Sequence, residues 1–362
     1  MRVLGKILFG LFCCFFSFSA FAQQNASPAA VTPPSEKAAQ SRGTGRRISI
    51  DVVVTDKSGK PVPGLQQQDF TLLDDKQPQP ILSFHATDET SKGDPPAQAI
   101  FLVDAVNNGV QGVGIQRQQL EKFLRQNQGQ LPIPMSLVFL ADKSTEVQPV
   151  PTRDGKALAS ALESSSSALR IIGRSQGFYG GAERLQISLR ALEGLIAYEA
   201  TQPGKKLLVW LSAGWPLLSG PGVQLSAKDQ EFLFSTIVTL SATMREAGIT
   251  LYSVDPAGMS DAGSPRTFYY ESFLEGVRSA NKVQDGNLGL QVLAAQSGGR
   301  VLNSTNDIAS AIAACLADAN AFYTLSFDAP PADHPNEFHG LQVKVQKHGL
   351  TARTRMGYYA QK

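Results

Sequence analysis

Between Ala99 and Ala321 the chain alternates short apolar runs with longer stretches whose apolar residues step by three and four. This alternation limits the possible folds more than any other feature. Ile100-Phe101-Leu102-Val103, Met135–Ala141, Leu207–Leu211 and Ile249–Val254 are apolar almost throughout, as in strands buried on both faces. Between them lie helix stripes: Leu120, Phe123 and Leu124; Leu185, Leu189, Leu192 and Ile196; Leu233, Ile237, Leu240 and Met244. Gly248 closes the third. A short helix over Leu290–Gln296, a short strand over Arg300–Leu302 and a last helix on Ile308, Ile312, Cys315 and Ala319 complete the series. Strands alternating with helices join through right-handed crossovers. The prediction is an α/β fold over residues 97–321, with a doubly wound, mostly parallel, Rossmann-like sheet.

The flanks follow a different pattern. Residues 47–90 hold three short strand signals, Ile48–Thr55, Asp69–Asp74 and Ile81–Phe84, separated by turns such as Asp56-Lys57-Ser58-Gly59-Lys60-Pro61. Residues 322–362 hold three more, at Phe322–Phe327, Leu341–Gln346 and Leu350–Arg355. Neither set makes a stable sheet alone. The two chain ends are therefore expected to pair, forming a small β module with the α/β domain inserted in it.

Residues 1–22 have Arg2 and Lys6, an apolar run from Ile7 to Phe21, and the ending Ala20-Phe21-Ala22. That is the pattern of a secretory signal peptide, and the run is too short for a confident membrane span. The expected product is secreted or periplasmic. Residues 23–46 are rich in Pro, Ala, Ser and Gln, with one large aliphatic residue, Val31, and read as a disordered linker.

Cleavage changes the charge and cysteine arithmetic. It removes two of the 33 basic side chains and none of the 31 acidic ones, so the mature chain carries no formal net charge. A neutral chain without a basic run has no electrostatic footprint for nucleic acid. Of three cysteines only Cys315 remains, which rules out an intrachain disulfide.

Several segments, taken in order, carry a family resemblance. They are Val53-Val54-Thr55-Asp56 with Gly59-Lys60-Pro61-Val62 and Asp69-Phe70; Leu102-Val103-Asp104; Leu207–Gly214; Leu251–Pro256; Tyr323–Phe327; and Leu350–Arg353 with Gly357-Tyr358-Tyr359. From about Ile48 to Tyr359 the chain resembles the von Willebrand factor type A (vWA)-related proteins abundant in acidobacteria. The resemblance implies a vWA-like sheet with flanking β segments. It also implies a metal-ion-dependent adhesion site at the carboxyl ends of the strands, where open α/β sheets bind ligands.

The first element of that site in the family is D-x-S-x-S, here Asp104-Ala105-Val106-Asn107-Asn108. Asp104 matches, Val106 has no ligand atom, and Asn108 offers an amide oxygen. The family's threonine falls where this chain has Tyr179-Gly180-Gly181-Ala182, and its later aspartate where Ser212-Ala213-Gly214 has alanine. A hard cation takes about six oxygens. The site is thus expected to be degenerate, with no cofactor; any Mg²⁺ or Mn²⁺ would rest on Asp104 and Asn108.

The same edge should carry a long loop after Val254 that contains Phe268, Tyr269, Tyr270 and Phe273. Long loops in compact domains are often functional, and aromatic residues anchor protein interfaces. The candidate partner-binding residues are Asp104, Asn107, Asn108, Ser212, Gly214 and this aromatic loop. Their expected role is non-catalytic binding of a protein partner. Two other roles compete with it. Gly173-Arg174-Ser175-Gln176-Gly177 matches the G-x-S-x-G of serine hydrolases, with Ser175 as nucleophile. A structural envelope component, adding its sheet edges to a partner's strand, is the other. The histidines His85, His334, His339 and His348 lack metal-ligand spacing.

Overall fold

The computed structural model describes residues 47–88, 95–148, 150–165, 178–216, 225–256, 270–303 and 307–360. Residues 1–46, where the signal segment and linker are expected, Ser175 with its flanking glycines, Phe268 and Tyr269 lie outside them. The described residues belong to one compact unit, Thr44–Lys362.

The first strands are β1 (Arg47–Thr55), β2 (Phe70–Asp74), β3 (Gln77–Gln79) and β4 (Ser83–Asp88). The α/β series follows: β5 (Gln98–Asp104), α1 (Val110–Leu124), β6 (Gln130–Leu140), β7 (Thr145–Val147), β8 (Thr152–Asp154), α2 (Gly155–Ser164), α3 (Phe178–Glu199) and β9 (Lys206–Leu211). It continues through α4 (Ala227–Glu246), β10 (Ile249–Val254), α5 (Leu290–Gln296), β11 (Val301–Leu302) and α6 (Ile308–Ala317). The last strands are β12 (Ala321–Asp328), β13 (Glu337–Val345), β14 (Thr351–Thr354) and β15 (Gly357–Ala360).

The central sheet runs β11-β10-β9-β5-β6-β7, and β8 pairs with β6. The strands from β11 to β6 are parallel, and β7 and β8 make an antiparallel edge. Every residue of β9 and β10 is buried, which is why those runs carry no polar alternation. One apolar layer packs α3, α4 and α5 against Ile100, Leu102, Leu208 and Trp210. The other packs α1, α2 and α6 against Phe101, Val103, Val209 and Tyr252. Alternate residues of one strand therefore face opposite helix layers. The sheet is doubly wound, as the alternation predicts. The chain leaves β5 toward β6 and returns to β9 on the other side, so the topological switch point lies between the carboxyl ends of β5 and β9.

The outer strands form two four-stranded sheets, β14-β1-β12-β4 and β15-β13-β2-β3. Each mixes strands from both chain ends: β1 runs antiparallel to β12 and β14, and β13 to β2 and β15. Ile50, Val52 and Phe327 of one sheet share a core with Leu72, Val343 and Tyr358 of the other. The third N-terminal strand starts at Ser83, not at Ile81, and pairs with β12 in the opposite sheet. The hairpin partner of β2 is β3, joined by Asp75 and Lys76, both at positive φ (43° and 69°). This is the backbone of a tight two-residue hairpin turn, here without glycine.

Candidate functional site

Asp104 is the last residue of β5 and is fully buried. Its Oδ1 accepts the backbone N–H groups of Val106 (2.8 Å) and Asn107 (2.9 Å). Its Oδ2 accepts the Asn107 side-chain amide (2.8 Å) and the Trp210 indole N–H (2.9 Å). Its carbonyl oxygen accepts Asn108 Nδ2 (2.8 Å) and Gln116 Nε2 (2.9 Å). One residue thus ties the β5–α1 turn to β9 and α1.

The other candidates extend the network. Asn107 Nδ2 also donates to Ser188 Oγ on α3 at 2.8 Å. Asn108 is buried and donates to Leu211 O at 3.1 Å. The Ala213 N–H approaches Asn108 Oδ1 at 3.4 Å. Ser212 Oγ accepts the Gly214 N–H at 3.2 Å. Gly214 sits at φ 118°, where a Cβ would lie 2.7 Å from Gln291 Nε2. Gln291 donates to Ala213 O at 3.1 Å. Asp104, Asn107, Asn108, Ser212 and Gly214 therefore meet at the switch point, although 103 residues separate Asn108 from Leu211 in sequence.

The Asp104 carboxylate itself is occupied by hydrogen bonds, while Asn107 Oδ1 and Gln116 Oε1 are buried without a partner among the described residues. A carboxylate has about four lone-pair positions, and at Asp104 four N–H groups occupy them. Asn108 turns its N–H₂ toward two carbonyl oxygens, and Val106 and Ala213 bring no ligand atom.

The described half of the aromatic loop lies elsewhere than in open solvent. Tyr270 and Phe273 are both partly buried in one 3-10 turn. A Cβ built on Gly286 would meet the Phe273 ring at 2.5 Å, so that ring rests on the Gly286 backbone. Val277, Val283 and Leu288 of the following turns join the α3–α5 layer. From Tyr270 onward this stretch covers the domain.

The sequence reading missed Trp210, Gln116, Ser188 and Gln291. A tryptophan inside an apolar run was the available signal, because a buried indole N–H normally finds an acceptor. Two exposed aromatics were also missed. Tyr179, 85% exposed, stands in the first turn of α3, and Phe232, 67% exposed, in the second turn of α4. Both helices lead into parallel strands and so begin at the carboxyl edge. Of the histidines, His339 is buried and places Nδ1 3.0 Å from Asp74 Oδ1 in the β module.

No protein-family model matches the sequence, and no curated protein matches it. Among solved structures the chain is similar to an aerotolerance-related membrane protein from Bacteroides fragilis (15% identity, TM-score 0.33, 62% of this chain and 99% of that one). It is similar to the manganese-loaded TRAP protein of Plasmodium vivax (9% identity, TM-score 0.35, 77% and 98%). It is also similar to the VWA domain of SpRpn10 (16% identity, TM-score 0.25, 58% and 87%).

Proposed function

We propose that this protein is an exported, non-catalytic binding protein that engages a protein partner at the switch-point edge of its sheet. The observation that carries this reading is the pair of exposed aromatics on that edge, Tyr179 at 85% and Phe232 at 67% exposure. Large exposed aromatic side chains near helix starts, beside a rigid floor, are what interface anchors require. The Asp104 network supplies the floor. The Asp104 carboxylate is taken up by four N–H groups, so among the described residues of this edge contact area is the means of recognition that we infer. The test is capture of a partner from envelope extract by the wild type and by a Tyr179→Ser/Phe232→Ser double variant. Both side chains are exposed, so the variant should fold with an unchanged circular dichroism spectrum. Loss of a specific captured protein with the variant supports the interface; equal recovery sinks it.

A further inference from the structure

A cavity of about 290 Å³ opens at the opposite, amino edge of the sheet, in the seam between β1 and the start of β10. Asp51, Arg245, Thr250 and Arg355 are among the residues that line it. Arg355 lies between β14 and β15 and is only 7% exposed. Its guanidinium makes one hydrogen bond, from Nη1 to Ser241 O at 3.3 Å. Among the described residues its Nε and Nη2 have no partner, and it joins no ion pair. A guanidinium this deep in the fold, facing a cavity with no carboxylate paired to it among the described residues, has a charge that an anion could answer. A second guanidinium, Arg245, adds to that charge. Burial and then the like charge of Arg245 pull the Arg355 pKa down to about 10, against the favourable charge of Asp51.

The acids nearby are otherwise engaged. Asp51 Oδ1 accepts the Thr324 hydroxyl at 2.9 Å, and its Oδ2 lies 3.5 Å from Lys205 Nζ. Glu246 pairs with Arg245 at 3.1 Å, but its side chain is 64% exposed, so that pair is weak and exchangeable. The carbonyls at the end of α4 oppose an anion here. One of them, Ala247 O, is held by Lys206 Nζ at 3.1 Å. Thr250 also lines the cavity, and its hydroxyl can donate there.

We propose that this cavity binds a small oxyanion, a phosphate or a compact carboxylate, between Arg355 and Arg245. Its volume is at the low end of small-molecule pockets, about 300–1,000 Å³, which favours a compact anion over a nucleotide. The site is independent of the switch-point edge.

The test is calorimetric titration of the folded protein with inorganic phosphate and, separately, with succinate, at constant ionic strength with chloride as the control anion. Saturable binding of one of them, absent with chloride, is expected, and the responding arm identifies the anion class. Arg355→Met removes an unanswered buried charge, so it should fold at least as well as the wild type and lose binding. Arg245→Gln, on the more open wall, should weaken binding about ten- to a hundredfold. No saturable binding of either anion up to about 20 mM, or binding that survives both substitutions, overturns the proposal.

Discussion

Replacing Asp104 with alanine would strand the Trp210 indole, two backbone N–H groups and the Asn107 amide in a buried place. Each unsatisfied buried donor costs about 1–3 kcal/mol, with partial relaxation between neighbours. Asp104→Ala is therefore expected to lower unfolding stability by about 3–5 kcal/mol in urea denaturation. Millimolar Mg²⁺ or Mn²⁺ should leave the wild-type melting temperature unchanged; a rise of several degrees would show that the Asp104 oxygens are free to ligate. The position of Asp104 was legible in the sequence, because it ends an apolar strand. Its partners were not. Trp210 and Ser188 lie 106 and 81 residues from the groups they bond, and no local pattern encodes such pairs. The spent state of the carboxylate could thus be seen only in the fold.

At the scale of elements, periodicity revealed what was long or wholly apolar and missed what was short. β10 and α5 have the bounds their patterns predict, Ile249–Val254 and Leu290–Gln296. β3, β7 and β8 are three residues each, too few to show an alternation. α2 was also missed, although it buries Leu158, Ala159 and Leu162. Its start signal is Asp154, whose Oδ1 accepts the N–H groups of Lys156 (2.9 Å) and Ala157 (3.0 Å). This cap is decisive because the next residue, Gly155, has no room for a side chain: a Cβ there would lie 2.1 Å from Leu124 O. Asp154→Ala should cost about 1 kcal/mol, the usual value of an N-cap, with no change in m-value. Gly155→Ala should cost more than the cap, because it drives α2 away from the end of α1. If the two substitutions cost the same in parallel denaturation curves, the close approach of these helices is not what fixes α2.

On the scale of the whole molecule, the β strands from the two chain ends pair across the sequence, and a buried polar cluster fastens them to the α/β layers. Asp318, fully buried just after α6, accepts the Tyr252 hydroxyl of β10 at 2.8 Å and Arg300 Nη2 at 3.0 Å. Arg353 of β14 reaches across the seam to the same carboxylate, and its Nη1 donates to Gly298 O at 2.6 Å. Lys205 adds a second fastening, with Nζ 4.1 Å over the Phe322 ring and 3.5 Å from Asp51. The sequence predicts the pairing of the ends, because neither set of strands can stand alone. It does not predict the fastening, since an arginine in an exposed-looking Leu-Thr-Ala-Arg-Thr-Arg strand gives no sign of a buried partner. The chain's two tryptophans, Trp210 and Trp215, both lie in the α/β layers, with ring centroids 5.0 Å apart. Tryptophan fluorescence therefore reports the α/β part, while far-ultraviolet circular dichroism also reports the β strands. In the wild type the two denaturation curves should coincide, as two-state unfolding requires. Arg353→Met leaves Asp318 with Tyr252 and Arg300 but cuts the link across the seam. Removing one partner of a buried pair costs about 3–5 kcal/mol, and the remaining donors should hold this case to the lower end. The circular dichroism midpoint is expected to fall further than the fluorescence midpoint, because the β sheets lose their anchor before the α/β core loses its own. Coincident curves at the wild-type midpoint would mean that the apolar seam and the Lys205 contacts hold the two parts together without Arg353.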